Sequence, residues 1–342
     1  MKNIAHSNPT IGDQEAAAAA DVIRSGQLAY AKECRLFEEE LAIAVGRKHA
    51  VVMANGHAAL EIYLESLNLP ENSPVLIPSY VCSALRHSVH RAHMKPKVVD
   101  VDKDTLGLGL VGPNKGAAIA AHIFAVPCRG VASEGYVLED CAMGFVPGKT
   151  GQCSHASLLS FYATKMLTAG QGGCLLTDDD NLAEEWRSLL QYDNQESYRA
   201  VGNRQLSDVH AAIGRVQLTK YPTFLNQRKD LFALYQKLLN ERELLLHPMV
   251  GQAEDDILFR LPLLVEAKDR DPLISHLKKN GIEAKKPIWR PLHVELHKND
   301  TDFPVSTEAD VKIVSLPFYP SLRAEQVLWV VDKVKEYFVM AS

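Results

Sequence analysis

The 342-residue sequence predicts an α/β fold with a mostly parallel central sheet sandwiched by helices, followed by a smaller C-terminal α+β domain. Short apolar runs alternate with helical patterns over roughly the first two hundred residues, and each run is continuously apolar. Such runs are typical of parallel strands that are buried on both faces. The pattern changes near residue 240. We therefore predict a large domain over residues 1–239 and a small domain over residues 240–342.

The predicted elements of the large domain follow one another in a regular order. Its predicted strands cover residues 51–54, 75–77, 98–99, 117–124, 136–138, 156–161 and 174–177, and its first helices cover residues 57–67 and 81–93. Ligands of parallel sheets bind beyond the carboxyl ends of the strands. Polar segments follow several of these strands, namely Asn55-Gly56, Pro78-Ser79, Glu139-Asp140 and the segment around Lys165. We expect these segments to converge on one crevice.

The remaining pattern predicts a connector and a small domain. Ser207 is expected to cap a helix with apolar residues at helical spacing, and Pro222 is expected to interrupt it. A second helical stretch is expected to continue to about Leu239. The small domain is predicted to contain strands at 257–265 and 282–285, a helix at 273–279 and a final helix at 323–337.

Composition excludes several classes of protein. A net charge of −5, a pI near 6.2 and the lack of a basic cluster argue against a nucleic-acid partner. The cysteines form no CxxC pair, which predicts thiols in a reducing compartment and no metal site; they are Cys34, Cys82, Cys128, Cys141, Cys153 and Cys174. No apolar stretch is typical of a signal peptide or a membrane span. A cytoplasmic protein without a membrane partner is expected.

Lys165 is the most informative residue of the chain. It lies between a predicted strand and a glycine cluster, and its neighbours are partly apolar. Desolvation lowers the pKa of an amine and makes it a nucleophile toward carbonyls. Upstream, Asp140 ends an apolar strand, and Glu139 is expected to face away from the site. A lysine that forms a Schiff base and an aspartate that holds a pyridinium nitrogen are what pyridoxal phosphate chemistry requires.

Each of these residues also has a structural interpretation. Lys165 could be a solvated side chain, and Asp140 could cap a turn. Gly56, at the start of a predicted helix, could support a plain turn or a phosphate site, because helix N-termini offer unpaired N–H groups. Ser160 could donate its hydroxyl to the same phosphate or to the backbone. His293 is a candidate substrate-binding residue, although a lone histidine is more often structural.

Together, these residues resemble the DegT/StrS-type sugar aminotransferases, a branch of the fold-type-I pyridoxal phosphate enzymes. The similar segments occur in one order over nearly the whole chain: residues 11–12, 24–26, 37–40, 55–60, 77–80, 122, 139–142, 160–165, 203, 211–214, 217–218, 291–293 and 315–317. So many matches in one order make the resemblance specific. It implies a fold-type-I transferase that binds pyridoxal 5'-phosphate.

The resemblance also implies roles for individual residues. Lys165 looks like the catalytic lysine that binds the cofactor and moves a proton at the substrate carbon, and Asp140 looks like the partner of the pyridine nitrogen. The implied phosphate cradle consists of Gly56, His57, Ala58 and Ser160. Asn203 looks like the residue that reaches the cofactor phosphate of a neighbouring subunit in a homodimer. The implied reaction moves an amino group, expected from glutamate, to a keto group of a nucleotide-linked sugar.

Some residues depart from the family pattern. His57 replaces a usual hydroxyl residue, and Met143 stands where a glutamine or histidine usually touches the phenolic oxygen of the cofactor. Cys82 lies near the position of an aromatic residue that stacks on the cofactor, and Tyr80 is a possible substitute. Gln171 and Gln205 replace a glutamate and an arginine.

These departures leave two alternatives to an ordinary aminotransferase open: a non-catalytic sensor with the same fold, and an enzyme with altered sugar chemistry. Related sugar dehydrases have histidine at the lysine position, so Lys165 argues against a dehydrase.

Overall fold

The computed structural model describes residues 3–109, 116–128, 136–152, 154–193, 197–241, 244, 246 and 257–341. The helices in these ranges are α1 (Asp13–Ser25), α2 (Lys32–Val45), α3 (Gly56–Ser66), α4 (Ala84–Arg91), α5 (Asp180–Leu190), α6 (Asp208–Asn240), α7 (Arg270–Lys279), α8 (Leu292–Glu295), α9 (Pro304–Lys312) and α10 (Ala324–Ala341). The strands are β1 (His49–Met53), β2 (Pro74–Pro78), β3 (Lys95–Val99), β4 (Ala117–Ala121), β5 (Tyr136–Asp140), β6 (Ala156–Ser160), β7 (Gly173–Thr177), β8 (Leu261–Leu264) and β9 (Ile313–Leu316).

The central sheet has seven strands in the order β1-β7-β6-β5-β4-β2-β3. Strand β7 is antiparallel to both of its neighbours, and the other pairings are parallel. The predicted mostly parallel sheet is therefore confirmed, and every predicted strand of the large domain overlaps an observed one. Six strands point their carboxyl ends toward one edge of the sheet, where β7 begins.

Helices cover both faces of this sheet, as predicted. Along β1, Val51 packs on one face with Leu60 of α3, whereas Val52 packs on the other face with Phe37 of α2 and Tyr221 of α6. Successive side chains of a strand point to opposite faces. Both faces are buried in this way, which explains why the strands are continuously apolar.

Asp208, the first residue of α6, ties this helix to the start of α2. Its carboxylate accepts the backbone N–H groups of Ala31 and Cys34 at 2.8 and 3.1 Å, and that of Glu33 at 3.0 Å. A carboxylate at a helix N-terminus pairs with otherwise unsatisfied donors and interacts favourably with the helix dipole. This contact fixes the segment just before α6 relative to the sheet.

The predicted interruption at Pro222 is wrong, because α6 is one continuous helix of 33 residues. A proline inside a helix removes one hydrogen bond and costs about 3 kcal/mol. Tyr221 and Leu225 are buried on either side of it, and the Tyr221 hydroxyl donates to the carbonyl of Phe145 at 2.9 Å. We attribute the continuity of the helix to this packing. Ser207 precedes the helix as predicted, but its hydroxyl pairs with the His210 ring at 2.8 Å.

The C-terminal part contains the two-stranded antiparallel sheet β8–β9 and the predicted helices, now seen as α7 and α10. The predicted strand at 257–265 is shortened to β8, because other groups bind the backbone just before it. Phe259 donates its N–H to the carbonyl of Phe124, and the Arg228 guanidinium donates to the carbonyl of Leu258. The predicted strand at 282–285 forms only isolated bridges.

Helix α6 ends at Asn240, next to the predicted domain boundary, and the division into two domains remains a prediction. Cys153 lies outside the described residues, and the other five cysteines are free thiols. Within the described ranges, no helix is both long enough and apolar enough to span a membrane.

The first described residues contact the C-terminal part of the chain, although the prediction placed them in the large domain. Ile4 bridges to Ile282, and the buried His6 ring lies 2.8 Å from the hydroxyl of Ser315. The backbone N–H of His6 donates to the Glu283 carboxylate at 3.0 Å. The N-terminus therefore helps to hold the C-terminal part in place.

Burial makes His6 a source of acid sensitivity. Burial, with smaller effects from Arg260 and Lys285, lowers the pKa of His6 from 6.5 to about 3. Between these values the unfolded chain binds more protons than the folded protein, so the free energy of unfolding falls as pH drops below 6.5. One such group contributes at most about 1.4 kcal/mol per pH unit. We expect denaturant unfolding at several pH values to show a weaker acid dependence in His6→Gln than in the wild type.

A matched control for this prediction is His90→Gln, because His90 is exposed. This variant should keep the wild-type pH dependence of unfolding. An unchanged acid slope in His6→Gln would contradict the assignment.

Candidate active site

The predicted polar segments do gather at the carboxyl edge of the sheet. Lys165 lies in the turn between β6 and β7, where its N–H donates to the carbonyl of Tyr162 at 2.9 Å. Asp140 is the last residue of β5, the strand beside β6. The turn closes through Gly172, whose φ of +141° disfavours other residues. The sequence-predicted lysine and aspartate are thus held by neighbouring strands.

Lys165 and Asp140 interact electrostatically in this crevice. Burial lowers the pKa of the Lys165 amine, whereas the negative charge of Asp140 acts in the opposite direction. Burial raises the pKa of Asp140, and the N–H of Ala142, which donates to its carboxylate at 2.9 Å, and the nearby Lys165 oppose this rise. A lysine amine with a lowered pKa is a better nucleophile at neutral pH. This environment is compatible with a nucleophilic amine at Lys165, and the roles expected of the two residues toward a cofactor remain predictions.

The proposed phosphate cradle lies beside this pair. The Asn55 side chain caps α3 by accepting the N–H of Ala58 at 2.9 Å. A Cβ added to Gly56 would lie 3.4 Å from the Ser160 hydroxyl, so the end of β6 lies directly against the start of α3. His57 is exposed in the first turn of the helix. A hydroxyl and a helix N-terminus at one place are suited to binding a phosphate.

Asn203 is exposed in the segment before α6. Its side chain accepts the N–H of Gln205 at 3.3 Å, and the carbonyl of Arg204 accepts the N–H of Ala54 at the end of β1. Arg204 also forms ion pairs with Glu65 of α3. The segment is therefore anchored close to the helix start, and the reach of Asn203 into a second subunit remains a prediction.

Met143 and Cys82 lie near the pair in different ways. The sulfur of the half-buried Met143 accepts the N–H of Phe124 at 3.0 Å. Cys82 is exposed to the crevice, and protein atoms around it raise the pKa of its thiol, an effect that Lys165 opposes. The expected contacts of both residues with a cofactor remain predictions.

Tyr80 and His293 do not have the positions that were expected. Tyr80 is fully buried, and its hydroxyl points to the carbonyl of Ala309, 3.5 Å away in α9. Its ring has no surface on which a cofactor could stack, so this assignment is corrected. His293 is also fully buried, with its ring nitrogens 2.6 Å from the Ser79 hydroxyl and 3.1 Å from that of Thr307. These contacts agree with the structural interpretation of His293, and its ring offers no exposed surface to a substrate.

A buried group of polar side chains lies behind Asp140. The His122 ring faces the Cys141 sulfur with Nδ1 and the Glu139 carboxylate with Nε2, each at 3.5 Å. Glu139 also accepts the hydroxyl of Ser154 at 3.0 Å. The atoms of His122, Glu139 and Cys141 that could bind a metal ion lie within 4.8 Å of one another. The imidazole uses opposite nitrogens toward its two neighbours, so the arrangement is a hydrogen-bonded chain that supports the end of β5.

Arg260 is a residue near Lys165 that the sequence analysis did not single out. Its guanidinium carbon lies 4.2 Å from the centroid of the Phe259 ring, and the Lys165 amine lies 5.6 Å from the same centroid. Arg260 also lowers the pKa of Lys165. The sequence signal for it was one arginine inside the otherwise apolar run 257–265, because charged residues are rarely buried unless they are paired.

The described residues fit pyridoxal phosphate. The crevice offers a desolvated amine, an adjacent buried carboxylate, and a helix start with a hydroxyl beside it. Gly173 shows how tightly the cradle is built: an added Cβ would come 2.5 Å from the carbonyl oxygen of Asn55, so only glycine allows β7 to start there. These are the groups that would hold the aldehyde, the ring nitrogen and the phosphate of this cofactor.

Comparison with known proteins supports this fit. The chain is 27% identical to the pleiotropic regulatory protein of Geobacillus stearothermophilus, covering 93% of this chain and 92% of that one. It is 25% identical to GDP-perosamine synthase of Escherichia coli O157:H7, covering 88% and 89%. Its fold is similar to that of Helicobacter pylori PseC, an aminotransferase involved in the biosynthesis of pseudoaminic acid, with a TM-score of 0.86, 20% identity and coverage of 99% and 100%.

Residues 9–335 match the DegT/DnrJ/EryC1/StrS aminotransferase family, which is nearly the whole chain. This match agrees with the fold, with the lysine and aspartate at the carboxyl edge of the sheet, and with the fit of the crevice to the cofactor. The chain belongs to the DegT/DnrJ/EryC1/StrS aminotransferase family and is a pyridoxal phosphate-dependent aminotransferase.

Proposed function

We propose that this aminotransferase moves an amino group from glutamate to a keto group of a nucleotide-linked sugar. The observation that carries the proposal is the pairing of a desolvated Lys165 with the buried Asp140 at the end of the neighbouring strand. The name of a relative, GDP-perosamine synthase, supports a nucleotide-linked sugar as the acceptor. The proposal follows from the family and from the chemistry of the crevice together.

In this proposal each residue has a distinct task. Bound pyridoxal phosphate would supply an aldehyde carbon that carries the amino group between donor and acceptor, and an electron-withdrawing ring that stabilises the negative charge formed at the substrate carbon. Lys165, with its lowered pKa, takes a proton from the substrate carbon and returns it at neutral pH. Asp140 holds the proton on the ring nitrogen. The start of α3 and Ser160 hold the phosphate.

We also propose that the protein is a homodimer in which Asn203 completes the site of the partner. Large exposed aromatic side chains, Tyr198 at 93% and Trp289 at 87%, support an interface, because aromatic residues are enriched at protein contacts. Light scattering should give a mass of twice the 37.8-kDa chain. A monomer at micromolar concentration would contradict the dimer.

Two half-reactions test the proposed substrates. Glutamate should convert the cofactor-loaded protein to its aminated form and release 2-oxoglutarate. A panel of keto sugars linked to different nucleotides should then restore the spectrum and yield an amino sugar. The same sugars without the nucleotide serve as controls and should react much more slowly.

The two proposals on substrates can fail separately. If another amino acid reacts and glutamate does not, the donor is wrong. If free keto sugars react as well as linked ones, the nucleotide part is wrong. A protein that reacts with no amino acid would favour the sensor alternative, to which the name of the pleiotropic regulatory protein draws attention.

A further inference from the structure

Arg260 is a half-buried cation whose guanidinium makes no ion pair or hydrogen bond to any residue that the structure describes. Most arginines in the described ranges pair with a carboxylate, as Arg204 does with Glu65. Arg260 instead stacks on Phe259, and burial lowers its pKa to about 10. Burying an unpaired charge is unfavourable unless a ligand supplies the opposite charge. The environment of Arg260 therefore favours the binding of an anionic ligand.

The surrounding backbone holds this arginine firmly in place. Phe259 donates its N–H to the carbonyl of Phe124 at 2.8 Å, and the buried Arg228 donates to the carbonyl of Leu258 at 3.0 Å. Phe124 has a φ of +57°, and Ala125 follows with +70°, which are uncommon values for residues other than glycine. Such strain concentrates at functional sites, where surrounding structure maintains it. The backbone just before Arg260 is thus held by two other parts of the chain, and the Arg260 guanidinium itself stacks on Phe259.

The position of Arg260 near Lys165 indicates which kind of anion it would bind. Arg260 and the Lys165 amine lie near the same Phe259 ring, at 4.2 and 5.6 Å from its centroid. In an α-amino acid the carboxylate is bonded to the carbon that carries the amino group, so it must lie close to the reacting lysine. The diphosphate of a nucleotide-linked sugar is separated from the keto carbon by part of the sugar ring. Proximity therefore favours a carboxylate.

We propose that Arg260 binds the carboxylate of the amino donor and thereby selects an α-amino acid for the first half-reaction. The planar guanidinium matches a carboxylate with two parallel hydrogen bonds, which a lysine cannot reproduce. This inference rests on the proposed function, in which an amino acid is the donor, and adds the residue that recognises it.

Binding of two unreactive probes tests the proposal. Glutarate presents carboxylates but has no amino group, and thymidine diphosphate presents the phosphates of a nucleotide sugar. Calorimetry with the cofactor-loaded protein should give a glutarate Kd that is about 10- to 100-fold weaker in Arg260→Gln, because a hydrogen bond to a charged group is lost. Arg260→Lys should recover only part of the affinity. The Kd of thymidine diphosphate should not change.

The exposed Arg323 provides a matched control, since it pairs with Glu325 at the surface. Arg323→Gln removes the same charge and should bind both probes like the wild type. Weaker binding of thymidine diphosphate with unchanged glutarate binding in Arg260→Gln would overturn the proposal and assign the arginine to the diphosphate. Unchanged binding of both probes would also overturn it.

Thermal unfolding separates recognition from a structural role. Without ligands, Arg260→Gln should unfold at the wild-type temperature or above it, because an unpaired, partly buried charge is removed. At the same concentration, glutarate should raise the unfolding temperature of the wild type clearly more than that of Arg260→Gln. A lower unfolding temperature of the variant, together with lost glutarate binding, would overturn the proposal.

The inference and the proposed function can fail independently. If glutarate binding depends on Arg260 while no nucleotide-linked sugar is aminated, the acceptor is wrong and the role of Arg260 stands. If nucleotide-linked sugars are aminated with glutamate while glutarate binds equally to the variant, the function stands and the role of Arg260 falls.

Discussion

Lys165→Ala is expected to lower the rate of amino transfer by more than about 10⁴-fold. The variant loses proton transfer by the amine, which contributes about 10²- to 10⁴-fold, and also the covalent link to the cofactor. Burial and the interaction with Asp140 mark this amine as a reactive group. The measurements are the visible absorbance of the cofactor that remains bound after gel filtration, and the rate of the glutamate half-reaction. The variant should lose both the band and the rate.

Two further variants make this result specific. Lys165→Arg keeps a positive charge but cannot form the imine link, so it should be as inactive as the alanine variant. Lys268 is exposed, and Lys268→Ala should keep the band and the rate of the wild type. Retention of the band in Lys165→Ala would show that another amine holds the cofactor, and the proposed catalytic role would then be wrong.

Much of the fold could be predicted because the signals are local. The strands of a sheet that is buried on both faces are continuously apolar, and this pattern is present in the sequence. The behaviour of α6 could not be predicted in the same way. Pro222 is a local signal for a break, yet Tyr221 and Leu225 are held by residues distant in the sequence. Tertiary packing outweighed the local preference there.

In the candidate site, too, some residues could be predicted from local sequence and others depend on tertiary packing. Lys165, Asp140 and Ser160 were found because each follows or ends a strand of one parallel sheet, so topology alone brings them to one edge. Tyr80 and His293 were misplaced because the sequence does not show which side of a loop is covered. Helix α9 covers both side chains, through Ala309 against Tyr80 and Thr307 against His293. Ala309 lies more than two hundred positions from Tyr80 in the sequence, so local patterns could not show this contact.

Arg260 was missed for a related reason. The run around it reads as an apolar strand, and the groups that hold it come from Phe124 and Arg228. Only the folded chain places Phe259 under the Lys165 amine. A charged residue inside an apolar run is a signal worth following when the partner of the charge is not apparent.

Asp140→Asn is expected to leave the cofactor bound but to slow the glutamate half-reaction by about 10²-fold or more. The amide cannot carry the negative charge that keeps a ring nitrogen protonated, and a hydrogen bond to a charged group contributes about 1.5–3 kcal/mol. Asp140 is buried with one oxygen already accepting the N–H of Ala142. Stopped-flow absorbance should show normal cofactor content and a slow conversion.

The stability of this variant distinguishes function from structure. Burial raises the pKa of Asp140, which means that the fold disfavours its charge. Removing that charge should therefore leave the free energy of unfolding unchanged or increase it. Asp230→Asn, at an exposed position, should alter neither rate nor stability. If Asp140→Asn turned over at the wild-type rate, the carboxylate would have no part in activating the cofactor. If Asp140→Asn were both slow and less stable than the wild type, Asp140 would instead be needed for the stability of the fold. A slow variant with full stability is the combination expected of a residue that acts on the reaction.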